Sequence, residues 1–321
     1  MRALQSVRAP LGWPRLLVLM TGILASANQE IAAQQPAQYG LESATRLGNK
    51  ARPYAPDFFG SLDKLTRFGM AISKDGRECY FAVALNDGGG FREEIRVTRR
   101  KGDGSWAKPQ PLLPNEKKYK YVDPHFSPDE QRLFFIYTKP ADESDPPKQQ
   151  RFDIWFVERE TGGWSSPVNV GAPISTIDAE EYFVSLTAEG KIFFGSNRAD
   201  RDNFDLYSAS PGNEGRYDKP RPLRGDVNTV KYEADVFVAR DESFLIFSSS
   251  GRKDGRGRGD LYVSFKDTSG NWGAGINLGD RVNSNRQEFA PSISRDGKAL
   301  FFSRGGVIHW VSTSVIKELR P

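Results

Sequence analysis

The sequence predicts an all-β protein: a five-bladed β-propeller of four-stranded antiparallel blades, with an N-terminal segment closing the last blade. Two observations carry this expectation. One turn between two apolar runs recurs five times, each copy is followed by a third strand-like segment, and the first four copies by a fourth. The chain has 321 residues, 38% hydrophobic and 27% charged, enough for a large core, which excludes a chain disordered throughout or one with many membrane spans.

Residues 1–27 read as a cleaved export signal. Arg2, Arg8 and Arg15 form a basic stretch without acids, Leu16 to Leu24 is an apolar run too short to span a bilayer, and Ala25-Ser26-Ala27 supplies small residues for cleavage. With no cysteine near that point and no later apolar segment long enough to span, the expectation is a periplasmic or secreted protein without a membrane anchor. The formal charge of +4 drops to +1 without the three leader arginines, because 42 basic groups then face 41 acidic ones. That leaves no strong positive field for nucleic acid, which is excluded as a partner. Cys79 is the only cysteine, so no internal disulfide staples the fold.

Residues 28–50 lack sustained apolar periodicity and read as a solvated linker. Residues 51–321 then form the propeller, with repeats at approximately 68–112, 121–170, 180–223, 232–278 and 287–312 plus 52–60. Asp75, Asp129, Glu189, Asp241 and Asp296 mark the hairpin turns, spaced 54, 60, 52 and 55 residues apart. Aromatic and β-branched flanks predict a strand on each side. Third strands follow as EIRVTR, DIWFVE, DLYSAS, DLYVSF and VIHWVS, and fourth strands open on Trp106, Trp164, Tyr217 and Trp272. The fifth copy lacks that aromatic strand, and PYAPDFFG (residues 53–60) resembles the missing piece. Closure by this segment removes the open sheet edge.

The FSPDxxxLFF and DIWxVxR elements of the second copy resemble PD40, or WD40-like, β-propeller repeats as typified by the TolB propeller. So do SNR and FDLYSAS of the third copy and QEFAPSISRDGKALFFSR of the fifth. The resemblance covers roughly residues 52 to 317. It implies the propeller fold and a choice among periplasmic binding scaffolds, peptidase accessory domains and polysaccharide-active enzymes.

Two sets of residues are candidates for a site at the channel mouth. Counting back along the first strands gives Arg67, Tyr121, Glu181, Glu233 and Glu288, so three blades offer a glutamate at one end of the channel. Asp123 and Asp235 lie two residues further on and are expected on the same strand face. Basic residues after the second strand, Lys139, Arg198, Arg252 and Arg304, are expected to pair with Asp153, Asp205 and Asp260 at the start of the third. The fifth copy has Val307 there, which leaves Arg304 free for a ligand. His125 breaks the repeat on a first strand beside the acids, whereas His309 falls in an aromatic slot.

The ligand-binding set is therefore Glu181, Glu233, Glu288, Asp123, His125 and Arg304, with no catalytic residue assigned. No zinc pattern and no GxSxG elbow occurs in the sequence. Asp200, Asp202 and Asp205 place oxygens at alternating positions that suit a calcium ion, without the glycine and final glutamate of an EF-hand. The loop 251–260 reads as a solvated connection. The function expected is non-catalytic binding, as a monomer, of a protein partner or an envelope or extracellular glycan. The alternatives are a carbohydrate-active hydrolase or lyase using channel-mouth carboxylates, and an accessory propeller for a separately encoded peptidase.

Overall fold

The computed structural model describes residues 48–54, 58–59, 65–86, 91–141, 151–200 and 202–321. The expected export signal, most of the expected linker, and Arg201 of the candidate calcium loop lie outside these. The described chain is a five-bladed β-propeller. Blade 1 runs from the channel outward as Thr66–Ile72, Glu78–Asn86, Phe91–Arg99 and Gln110–Pro111. Blade 2 is Tyr121–Phe126, Arg132–Tyr137, Asp153–Glu160 and Val168–Asn169, with Gly163–Trp164 also pairing on its third strand. Blade 3 is Glu181–Leu186, Ile192–Ser196, Asp205–Ala209 and Arg221–Pro222. Blade 4 is Tyr232–Val238, Phe244–Ser250, Asp260–Phe265 and Ile276–Asn277.

Blade 5 contributes Glu288–Ile293, Ala299–Arg304 and Val307–Ser312, and its fourth strand is Arg52–Pro53 from the other end of the chain. Arg52 stands opposite Trp310 and Pro53 opposite His309. Docking starts slightly earlier, since the Ser312 amide donates to the Gly48 carbonyl at 3.1 Å. Among the described residues, no helix is long and apolar enough to cross a membrane.

The recurring hairpin acid has a local cause. In blades 1, 2, 4 and 5 the turn aspartate accepts the backbone amide two residues on: Arg77 onto Asp75 (2.9 Å), Gln131 onto Asp129 (3.0 Å), Ser243 onto Asp241 (3.0 Å) and Lys298 onto Asp296 (3.1 Å). That is an Asx turn, the short aspartate side chain closing onto its own backbone. Blade 3 has Glu189 in that place and uses Thr187 Oγ1 to accept the Lys191 amide instead.

The apolar core is divided among the seams between blades. Tyr80, Phe126, Phe135 and Trp155 fill the seam of blades 1 and 2, and Trp164 Nε1 donates across it to the Tyr80 hydroxyl at 2.9 Å. Phe193, Phe247 and Trp272 fill the seam of blades 3 and 4. Tyr54, Phe59, Phe81 and Phe301 close the ring between blades 5 and 1, where Cys79 is buried as expected for a core residue. The aromatic residue opening each fourth strand is thus a seam anchor, contributing about 1.5–3 kcal/mol through burial.

Candidate functional site

Every first strand carries one bulge where it lines the channel. The register shifts fall at Phe68/Met70, Val122/His125, Tyr182/Val184, Ala234/Phe237 and Phe289/Ser292. The residue inside each shift has a left-handed backbone: Gly69 (φ 51°), Asp123 (58°), Phe183 (50°), Asp235 (51°) and Ala290 (52°). A bulge breaks the two-residue alternation of a strand. The expectation that Asp123 and Asp235 share a strand face with Tyr121 and Glu233, two residues before them, is therefore corrected.

The bulge layer instead brings Asp123 within the field of Asp235. They belong to blades 2 and 4, which are not neighbours, so the interaction crosses the channel. Burial, then Asp235 and Glu93, hold the Asp123 carboxyl well above the usual carboxylate range. Asp123 is 9% exposed, and no hydrogen-bond donor meets its carboxyl among the described residues. It sits so close to blade 1 that a Cβ on Gly69 would come within 2.8 Å of its Oδ1. Burial also raises Asp235, which is anchored by Ser248 Oγ at 2.7 Å and by the Ala290 amide. Glu93 is tied to Lys120 Nζ at 3.2 Å.

Aromatic side chains surround this layer. Phe152, Tyr182, Phe204 and Tyr232 follow one another with ring centroids 5.4, 4.9 and 5.4 Å apart, and Phe289 lies 6.0 Å from Phe68. Burial raises both tyrosine hydroxyls; among further causes, Tyr182 feels Glu180, Asp235 and Asp123, and Tyr232 feels Asp235, Tyr182 and Asp123. The sequence reading missed both tyrosines. Their signal was positional: Tyr182 follows Glu181 and Tyr232 precedes Glu233 at the start of the innermost strands.

The three glutamates are not open at the mouth. Each is completely buried and bound to the arginine of its own blade. Arg198 Nη2 meets Glu181 Oε1 at 2.9 Å, Arg252 Nη2 meets Glu233 Oε1 at 2.9 Å, and Arg304 Nε meets Glu288 Oε1 at 2.7 Å. The arginines therefore pair with the first strand, not with Asp153, Asp205 and Asp260 on the third. Arg304, expected free, is held by Glu288 and donates to the Val282 carbonyl. Antiparallel register explains the choice, since Glu181 faces Ser196, Glu233 faces Ser249 and Glu288 faces Arg304. Blade 2 has Tyr121 at the glutamate position, and there Lys139 is exposed. Burial pushes the Glu181 carboxyl up to about 8 against the pull of Arg198, with Asp153 adding to the rise.

His125 is separated from these acids by the length of its strand. Its Nε2 accepts the Leu186 amide at 3.3 Å, and burial with Arg240 and Arg295 pushes its pKa down to about 4. His309 fills its aromatic slot, stacked on Phe302 at 5.7 Å. The loop 251–260 folds back on itself, with Asp260 Oδ2 accepting the Arg256 and Gly257 amides at 2.8 and 3.2 Å. Residues 253–258 are exposed, as expected of a solvated connection. In the candidate calcium loop Asp200 Oδ1 accepts the Asp202 amide at 3.0 Å, and among the described residues no group of three or more His, Cys, Asp or Glu is arranged to hold a metal.

Comparison with protein-family models and with curated proteins gives no match. Solved structures do resemble the chain. A protein solved as an RGII complex is 8% identical over 84% of this chain and 91% of that one, with a TM-score of 0.52. An endo-arabinase from Bacteroides thetaiotaomicron VPI-5482 is 15% identical over 77% and 92%, with a TM-score of 0.50. Puromycin hydrolase is 15% identical over 74% of this chain, with a TM-score of 0.41, and the chain spans only 33% of its length. At such identities the likeness establishes a shared propeller fold and nothing finer.

Proposed function

We propose that this chain is an exported propeller that binds a glycan, without cleaving it, at the mouth of its central channel. One observation carries the reading: the Asp123 carboxyl is buried in the bulge layer without a protein hydrogen-bond partner among the described residues, within the field of Asp235 and close enough to Tyr182 and Tyr232 to influence both hydroxyls. Burial favours the neutral form of that carboxyl, which both donates and accepts as sugar hydroxyls do, and the partly buried aromatic rings offer apolar faces for sugar C–H groups. The export signal read in residues 1–27 and the PD40 resemblance fit an encounter outside the cytoplasm.

The reading is non-catalytic because glycoside hydrolysis needs two carboxyl groups in opposite protonation states. Here burial raises both Asp123 and Asp235, and Asp235 is already anchored. The repulsion that Asp235 exerts on Asp123 favours hydrolysis as the second reading, because such coupling also splits an acid from a base.

The test is titration of the chain with plant-cell-wall and envelope oligosaccharides, alongside an assay for released reducing ends. Binding without release, lost in Asp123→Ala at unchanged thermal midpoint, is the expected result. Reducing ends released by the native chain but not by Asp123→Ala would replace binding with hydrolysis.

A further inference from the structure

The opposite end of the channel holds a cavity of about 290 Å³, formed where the hairpins between first and second strands converge. Its walls are apolar, with Phe126, Leu186, Phe237, Phe301 and Ile316 among them. Charged groups line it as well, Arg240, Arg295, Glu130 and Lys317, and so does His125. Arg240 Nη2 and Arg295 Nη2 both donate to the single Pro128 carbonyl, at 3.1 and 2.8 Å. Two guanidiniums thus share one neutral oxygen. Each retains donors, because a guanidinium carries five N–H groups.

Their field reaches into the cavity, since both arginines contribute to holding His125 neutral. The only acid on the wall among the described residues, Glu130, lies 3.7 Å from Arg295 and also accepts the Lys74 amide at 2.7 Å. Three cations against one partly engaged carboxylate leave room for a single negative charge, while Glu130 disfavours a dianion such as phosphate. The volume lies at the small end of ligand pockets, which run from about 300 to 1,000 Å³, and suits a short tail.

We infer that this cavity is a binding site for a small amphipathic monocarboxylate, its carboxylate between Arg240 and Arg295 and its apolar tail against Phe126, Leu186 and Phe237. The site is independent of the glycan reading, because it occupies the other end of the channel and shares no residue with Asp123, Tyr182 or Tyr232.

Calorimetric titration of the full chain with octanoate, octan-1-ol and acetate tests it. Octanoate is expected to bind at one site, with the alcohol and acetate each at least about tenfold weaker. The double variant Arg240→Gln/Arg295→Gln should bring octanoate down to the level of octan-1-ol, and Arg240→Lys/Arg295→Lys should restore part of the difference. Phe237→Trp, which fills the tail end and leaves the arginines in place, should abolish octanoate binding. Equal affinity for octanoate and octan-1-ol, binding of acetate as tight as octanoate, no octanoate binding at all, or octanoate binding that survives Phe237→Trp would each overturn the assignment.

Discussion

Arg252 and Glu233 meet through a single nitrogen: Arg252 Nη2 donates to Glu233 Oε1 at 2.9 Å and to the Val227 carbonyl at 2.8 Å, while its Nε donates to Ser249 Oγ at 2.9 Å. One side chain thereby joins the first strand of blade 4, its second strand and the loop that enters it. Thr229 completes the arrangement with its amide and hydroxyl on the same carboxylate, at 2.9 and 2.8 Å. A buried ion pair is strongly damaging to break from one side, because the surviving charge has neither water nor partner.

Arg252→Ala should therefore cost about 3–5 kcal/mol in urea unfolding. The double replacement Glu233→Leu/Arg252→Met should cost clearly less than the single one. A single-variant loss below about 1 kcal/mol would place the pair among weak surface bridges.

The bulge layer predicts opposite effects at equivalent positions. Gly69→Ala puts a Cβ on a left-handed backbone and into Asp123 Oδ1, so it should destabilise by more than about 1–2 kcal/mol. Ala290→Gly removes a Cβ from the same conformation and should be neutral or stabilising by up to about 1 kcal/mol. Denaturant midpoints of the two variants decide the matter.

Both histidines are held neutral, with pKa values pushed from 6.5 down to about 4. Below pH 6.5 the unfolded chain takes up protons that the folded chain refuses, so stability is full above that pH and falls as pH drops toward 4. The loss attributable to each histidine should be on the order of 3 kcal/mol between pH 7 and 4. Unfolding free energies measured across that range should fall less steeply for His309→Phe, which keeps the stack on Phe302.

Cys79 is buried in the seam that closes the ring, and burial raises its thiol far above the ordinary range. The native chain should resist a thiol-labelling reagent that reacts at once in urea. Labelling under native conditions then reports the opening of blades 5 and 1. Rapid reaction at full occupancy in buffer alone would contradict the packing of that seam.

The fivefold hairpin was readable because its cause is local: an aspartate that caps its own turn leaves the same mark in every copy but the third. Closure of the last blade was readable for a similar reason, as a strand absent at one end and present at the other. The bulges were hidden. Glycine, aspartate, phenylalanine and alanine all occupy the left-handed position, so no residue type announces it, and tertiary pairing imposes the conformation. The arginine partners were misassigned by following chain order toward Asp153, Asp205 and Asp260. Counting outward from the hairpin turn would have set each glutamate opposite the end of the second strand, as the register does. The tyrosines at the channel leave no repeated mark, because Tyr182 follows its glutamate whereas Tyr232 precedes one.

The Arg52–Pro53 strand sits beside Val307–Ser312, although Val307 comes 254 positions after Pro53 in the sequence. A chain that leaves a ribosome or threads a pore N-terminus first exposes its own latch long before the keeper arrives. Blades 1 to 4 have all their strands in continuous sequence, whereas the ring stays unlocked until the final strand has cleared the exit. The topology thus acts as a timer, delaying the last and most non-local pairing until synthesis or transport is nearly finished. It also brings the two ends of the folded chain side by side. Joining them and reopening the ring in a loop between two blades should move the latch to a new seam and shorten the wait.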